Sequence, residues 1–350
     1  MQTVNHQSKN IHPIFDQIER CYAYTSEKQP SKTLLNTVFP QSFEELYKLF
    51  TEYGKTKYDV DFNVRRQDKL VLPAYPKENI IVCFSGGKDS VATALHYQKL
   101  GYKVFLYHVK GINKTYKDEY KTVERLAEYL DFPLEIEEVS LKGNHEWVEH
   151  PMKNMIIANM AIQFGIEQNI GTKIAFGNYY TSHIQDDPFE VCAGDDIEIW
   201  RAYERIIRDI IPGFKMYIPL KNIQTSYNAI NKQPELLKMI QSCIGPYRYR
   251  EYLHNNNEKK FGIELLPHRC GSCWKCAAEY IWYTDHEKLP YNRDYYKHCI
   301  NILRKTLKAE NDINYRSEQL VWQQYMFYPV KKSKYFQKSN LHLKNMYYNV

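Results

Sequence analysis

No stretch of the chain approaches the roughly 20 consecutive apolar residues that a bilayer-spanning helix needs. The most apolar segment, Met155 to Ile162, is broken by Asn159, so a membrane protein is not expected. The first residues, Met1-Gln2-Thr3-Val4-Asn5-His6-Gln7, lack the basic start and apolar block of a secretory signal, which argues against export. A dominant charge is missing as well: 47 Lys+Arg stand against 41 Asp+Glu, a formal net charge of +6 over 350 residues. So small an excess, spread along the chain, does not by itself point to nucleic acid. Internal repeats and low-complexity tracts are also absent. What remains is ample apolar content, 43% of residues, which supports a packed core and excludes disorder. At about 150 residues per domain the length suggests two domains. A cytoplasmic globular chain is expected.

Two residue types are abundant in an informative way. Tyr occurs 31 times against 15 Phe and 5 Trp. The chain is also rich in Lys, Asn and Ile, all encoded by A/T-rich codons, so genome base composition accounts for the tyrosines. The eight cysteines are Cys21, Cys83, Cys192, Cys243, Cys270, Cys273, Cys276 and Cys299, and three of them fall within seven residues. In a reducing compartment such clustering favours metal over disulfides. Cys21, Cys83 and Cys192 read as ordinary residues, Cys83 as a small buried side chain in a strand.

Residues 1–76 read as a helical N-terminal extension. Ser42-Phe43-Glu44-Glu45 forms a capping box for a helix running to Tyr53. From Asn79 the pattern alternates. Strands are expected at Ile80–Phe84, Val104–His108, Leu134–Val139 and Lys173–Gly177, and helices at Val91–Leu100, Tyr120–Leu130 and Met152–Gln168. Repeated strand–helix units imply an α/β fold with a parallel sheet covered on both faces, a doubly wound domain over 77–222. Residues 223–310 read as a helical metal-binding region, with helices at Thr225–Gln241, Trp274–Thr284 and Asp294–Lys308; a further helix, Asp195–Ile211, precedes it. Residues 311–350 form a C-terminal extension. From Lys331 onward it carries five Lys, no acidic residue, and interspersed Tyr335, Phe336, Tyr347 and Tyr348. Basic residues among aromatics can meet a nucleic-acid backbone and its bases, but a solvated terminus is the expectation.

The strongest local signal is Ser85-Gly86-Gly87-Lys88-Asp89-Ser90, between a buried strand and a helix. Two glycines allow left-handed backbone and close approach to a ligand. Successive N–H groups can then converge on an anion at the positive end of the following helix. Ser85 and Ser90 add hydroxyl donors, Lys88 adds a charge, and Asp89 can hold Mg²⁺ against phosphates. The Gly-x4-Gly-Lys-Ser/Thr spacing of the common phosphate loop is absent, which excludes a γ-phosphate kinase or GTPase site of that type.

In Cys270-Gly271-Ser272-Cys273-Trp274-Lys275-Cys276, two-residue gaps bring sulfurs onto one tetrahedral ion. A fourth ligand would come from Cys243, His268 or Cys299. Cys243, at a predicted helix end before a loop, is the best placed. An iron–sulfur cluster is the rival to Zn²⁺, since three close cysteines plus a distant one also suit it.

The hexapeptide resembles the Ser-Gly-Gly-x-Asp-Ser loop of the PP-loop ATP pyrophosphatase superfamily, over roughly Asn79 to Leu220. That resemblance implies the HUP-type nucleotide-binding fold, Mg²⁺ and ATP held on the loop residues Ser85, Gly86, Gly87, Lys88, Asp89 and Ser90, and adenylation of an acid or carbonyl. It also implies that Tyr107 and His108 border the adenine. Loop and cysteines together resemble the 7-cyano-7-deazaguanine synthase family, whose zinc site is one Cys followed by Cys-Gly-x-Cys-x2-Cys, matched by Cys243, Cys270, Cys273 and Cys276. Phe176-Gly177-Asn178, Ile218-Pro219-Leu220 and Asp195-Asp196 with Trp200 and Tyr203 match further pieces. This likeness implies Asn178 as a site residue and a ligase-type synthase that joins ammonia or an amine to an activated deazapurine-like acid. A homodimer is compatible with it; membrane or nucleic-acid partners are not implied. The chain departs from the family at Lys88, at residues 244–269 between the first two cysteines, and in both extensions. Two other readings are carried: an iron–sulfur tRNA sulfurtransferase (or a relative of the sulfonucleotide reductases), and a non-catalytic nucleotide-binding subunit.

Overall fold

The computed structural model describes residues 3–5, 38–40, 63–65, 70–111, 119–138, 140–142, 152–178, 197–220, 223–241, 243 and 247–309. The chain divides into two compact units, Met1–Ala229 and Ile230–Val350. The expected Ser42–Tyr53 helix, Asp195-Asp196, Cys21, Cys192 and the basic tail lie outside the described residues.

In the first unit, the described regular elements of residues 1–76 are strands, not helix: β1 (Thr3–Asn5), β2 (Val38–Pro40) and β3 (Asn63–Arg65). Each short segment carries a β-branched Val and finds a pairing partner, which outweighs any local helical preference. The chain continues through β4 (Asn79–Cys83), α1 (Lys88–Lys99), β5 (Lys103–Lys110), α2 (Glu119–Leu130), β6 (Leu134–Glu138), β7 (Ser140–Lys142), α3 (Met152–Glu167), β8 (Ile174–Phe176), α4 (Ile197–Ile210), β9 (Met216–Tyr217) and α5 (Ile223–Ile230). β2 pairs with β3 in parallel, and β1 pairs antiparallel with β7. The main sheet has five strands in the order β6-β5-β4-β8-β9, every pair parallel.

β4 occupies the centre. All five of its residues are buried, as a strand covered on both faces requires. α1 packs on β4, β5 and β8, α2 on β5 and β6, and α3 on β4 and β8. α2 shows the expected stripe, with Val123, Leu126, Ala127 and Leu130 buried at helical spacing. α3 lies flush against the sheet because Gly165 has no side chain: a Cβ there would stand 2.0 Å from the Gly171 carbonyl oxygen and 2.6 Å from Ile81 Cδ1. α4 buries Trp200 against Phe176, ring centroids 5.2 Å apart, and its Tyr203 hydroxyl donates to Asn159 Oδ1 of α3 at 2.7 Å. No described helix is long and apolar enough to cross a membrane.

The second unit contains α6 (Pro234–Met239), α7 (Tyr247–Phe261), α8 (Trp274–Asp285) and α9 (Arg293–Ala309). α8 and α9 pack as a pair around Ala277, Ile281, Tyr295, Cys299 and Ile300. The single helix expected over Thr225–Gln241 is two, because Pro234 has no N–H to donate and instead starts α6. Residues 244–269 hold a full helix, α7, where only an insertion was expected.

Candidate functional site

β4 runs directly into the glycine loop. Ser85 is exposed at its tip, while Gly86 turns back at φ +71° and is buried against α2; a Cβ on it would meet Thr122 Cγ2 and Val123 Cγ2 at 3.3 Å. Conformation and space both demand glycine there. Gly87 is the N-cap of α1 and, having no side chain, makes no capping hydrogen bond of its own. The two serines brace the loop: Ser85 N–H donates to Ser90 Oγ at 3.3 Å, Gly87 N–H to Ser85 Oγ at 3.4 Å, and Ser90 Oγ–H to the Gly87 carbonyl at 3.0 Å. All six predicted loop residues thus gather in one turn, at the C-terminal end of the central strand and the positive end of a helix.

Lys88 Nζ donates to both carboxylate oxygens of Asp89 at 2.7 Å. It also lies 5.5 Å from the centroid of Tyr227, a buried residue of α5. Cation and carboxylate are therefore already paired in the loop. Sequence reasoning missed Tyr227, which lies far away in sequence and carries no local signal. Replacing it with Leu removes a cation–π contact worth about 0.5–2 kcal/mol. Thermal denaturation is expected to show Tyr227→Leu destabilised by at least that amount, with Tyr227→Phe retaining most of the stability.

The loop has a neighbour that the sequence reading did not place in the site. Gly177 follows β8, and a Cβ on it would lie 2.5 Å from the Asp89 carbonyl carbon and 2.5 Å from the Ser90 nitrogen. The end of β8 is thus pressed against the first turn of α1. Asn178, next in the chain, is half-buried.

His108 is also brought to the loop. Its Nδ1 is 2.9 Å from the Phe84 carbonyl; a carbonyl only accepts, so Nδ1 carries the proton and Nε2 keeps its lone pair. Burial lowers its affinity for a second proton, the Phe84 hydrogen bond opposing weakly. Tyr107 points into the core instead: its hydroxyl donates to Glu137 and its ring packs on Phe164 at 5.2 Å.

In the second unit, the four sulfurs of Cys243, Cys270, Cys273 and Cys276 all lie within 4.8 Å of one another. Cys243 to Cys273 and Cys270 to Cys276 are each 3.9 Å, and Cys273 to Cys276 is 3.3 Å. A tetrahedral ion with metal–sulfur bonds of about 2.3 Å needs sulfurs about 3.8 Å apart, so the tetrad fits one ion. Backbone amides already point at the sulfurs: Ser272 and Cys273 N–H donate to Cys270 Sγ at 3.3 Å, and Cys276 N–H to Cys273 Sγ at 3.5 Å. Of the alternatives for the fourth ligand, Cys299 is instead buried in the α8–α9 core, and His268 is not among the clustered donors.

Gly271 makes the turn possible at φ +70°, where a Cβ would strike Leu265, Tyr295 and Asn257 at 2.8–3.0 Å. α7 supports the loop from outside, since Asn257 Nδ2 donates to the Cys270 carbonyl at 2.9 Å and to Ser272 Oγ at 2.8 Å. Tyr295 Oη from α9 donates to the Gly271 carbonyl at 3.0 Å.

The neighbouring thiols bias one another's ionisation. Cys243 is pulled down, chiefly by the hydrogen bond from Cys270. Cys270 is brought down to about 7: its contact with Cys243 acts upward, but hydrogen bonds from Cys273 and Cys276 outweigh it. Cys273 and Cys276 are pushed up, first by Cys243. Metal binding displaces the remaining protons. Metal affinity is therefore expected to fall as pH is lowered, because an ion must displace the protons that Cys273 and Cys276 hold, and competition titrations with a chelator at several pH values measure this.

No family model matches the chain, and no curated protein matches it. Among solved structures, a protein of Methanocaldococcus jannaschii described as a predicted subunit of tRNA methyltransferase is similar at 22% identity. The match covers 43% of this chain and 73% of that one, with a TM-score of 0.27.

Proposed function

We propose that the chain is an ATP-dependent adenylating enzyme that activates a carboxylate, 7-carboxy-7-deazaguanine or a related acid, for attack by ammonia or an amine, and that Zn²⁺ occupies the four-cysteine site. The observation that carries this reading is the Ser85–Ser90 loop at the C-terminal end of β4. The chain steps outward from β4 to β5 and β6, then returns to β8 on the other side of β4. Right-handed crossovers then put α1 and α2 on one face of the sheet and α3 on the other. Such a doubly wound sheet takes its ligand at that reversal.

In this reading the loop amides and the Ser85 and Ser90 hydroxyls hold the terminal phosphates, Lys88 offsets their charge, and Asp89 holds Mg²⁺. The substrate carboxylate oxygen attacks the α-phosphorus and pyrophosphate leaves. Ammonia then attacks the acyl carbon, AMP departs carrying the carboxylate oxygen bonded to its phosphorus, the nitrogen sheds a proton, and an amide that keeps the carbonyl oxygen results. Positioning and fixed dipoles supply most of the acceleration.

The sulfur spacing weighs against the iron–sulfur sulfurtransferase reading. A four-iron cube binds each cysteine at a different corner, which spreads the sulfurs beyond the 4.8 Å that encloses all four here. Purified protein is expected to be colourless with one zinc per chain by elemental analysis; a brown chromophore would favour the cluster. The function itself is tested by incubating the protein with Mg·ATP, ammonia and 7-carboxy-7-deazaguanine and following products by mass spectrometry. An adenylate, amide or nitrile that disappears in Asp89→Asn supports the proposal. ATP binding without any product from this or related acids would favour a non-catalytic nucleotide-binding subunit.

A further inference from the structure

Beside the sulfurs lies a charged pair that ligation itself does not use. Arg269 and Glu279 are 3% and 2% exposed. Arg269 Nε donates to Glu279 Oε2 at 2.6 Å, and its Nη1 donates to the carbonyls of Ile240 and of Pro267, the latter at 3.3 Å. The places of these partners in the chain are informative. Arg269 directly precedes Cys270, Ile240 lies three residues before Cys243, and Glu279 lies three residues after Cys276, on the same helix. One planar group therefore touches each of the three segments that bring the four sulfurs together. α7 joins from the other side, where His254 Nδ1 is 2.7 Å from Arg269's own carbonyl.

Stability alone does not account for the pair. Burying two opposite charges costs as much as it returns, and an apolar pair of similar size often serves a fold as well or better. Arg269 Nη2 and Glu279 Oε1 are buried without a hydrogen-bond partner among the described residues, a further cost. What an arginine adds is direction: a rigid fork fixes two carbonyls and a carboxylate at set angles, which a lysine ammonium cannot do.

We propose that Arg269, braced by Glu279, is a positioning residue for the metal centre, holding the three ligand-bearing segments in register so that the sulfurs meet the ion already arranged. The inference rests on reading the tetrad as a metal site. Its action is through the backbone of the ligand segments, not through contact with the ion.

The test uses the full-length protein, stripped of metal under reducing conditions and titrated with Co²⁺, whose tetrahedral thiolate complex absorbs visible light, followed by Zn²⁺ in competition with a chelator. Wild type is expected to take up one Co²⁺ with a tetrahedral spectrum. Arg269→Met should give the same spectrum at saturation with roughly 10- to 100-fold weaker affinity, the range for residues that orient ligands. Arg269→Lys should not restore it. In Arg269→Met/Glu279→Met the uncompensated buried charge is gone, so thermal stability should recover while metal affinity stays low. A residue serving stability alone would recover both together, and that result overturns the inference. Wild-type affinity in Arg269→Met overturns it as well. Should Arg269→Met fail to fold, Arg269→Lys carries the test: weakened binding supports the role and wild-type binding overturns it. A wild-type protein that binds no Co²⁺ removes the metal reading itself, and the inference with it.

Discussion

On the proposed reading, alanine at Gly177 is expected to abolish Mg·ATP binding at working concentrations. The added methyl would stand 2.5 Å from the Asp89 carbonyl carbon and the Ser90 nitrogen, and 2.7 Å from the Asp89 oxygen. These are backbone atoms of the first turn of α1, so no flexible side chain can swing away. Either β8 or the start of α1 must retreat by about an ångström, and misplacement on that scale is enough to cost roughly 100-fold in a positioned site. Overpacking should also lower stability by about 1–3 kcal/mol. Calorimetry with Mg·ATP should therefore show at least a 100-fold weaker interaction, while zinc content stays at the wild-type level. Binding at wild-type strength would mean that the loop in solution does not lean on β8 as described.

Serine at Cys270 is expected to produce the largest loss of stability. Cys270 is buried, accepts two backbone hydrogen bonds through its sulfur, and is one of the four clustered sulfurs that could hold an ion. Structural zinc contributes folding free energy on the order of 10 kcal/mol, and a hydroxyl is a poor replacement for a thiolate. The variant should lose its metal and much of the hydrogen-exchange protection of the second unit. Chelation of the wild-type protein should reproduce the effect and added zinc should reverse it. Persistence of full protection in the metal-free variant would assign the second unit's stability to the α8–α9 core instead.

The parts of the molecule that were legible in the sequence share a short range. β4 shows as a run of buried β-branched residues, α2 as a helical stripe, and the glycine loop as six consecutive residues directly after β4. The cysteine triad is equally local, and Cys243 was reachable because it follows a helix end. The remainder depends on contacts between segments far apart in the chain. Tyr227 reaches Lys88 from α5, Gly177 touches Asp89 from the end of β8, and Arg269 links Ile240 to Glu279; none of these has a local pattern. α7 escaped notice because its polar, Asn-rich composition shows little amphipathic contrast, although Arg250, Asn257 and Leu253 make up its inner side. The split between α5 and α6, by contrast, is local, because Pro234 marks the start of α6. The tyrosines also acquire a use that composition did not suggest: Tyr203, Tyr280 and Tyr295 serve as core residues whose hydroxyls all find acceptors.

α7 sits between the first and second cysteine, with both of its flanks fastened: Asn257 and His254 hold the loop that leads to the triad, and Cys243 stands just before its start. A metal ion joining Cys243 to Cys270 would close this segment into a ring. Closing a loop of this size costs only slightly more entropy than closing a much shorter one. Length and sequence inside the ring are therefore nearly free to vary, provided the inward residues keep their grip. Tyr249 and Tyr252, which project from the outer side, occupy a surface that evolution or an engineer can rewrite without disturbing a single ligand. In that sense the centre behaves as a socket, and α7 as the exchangeable module it holds.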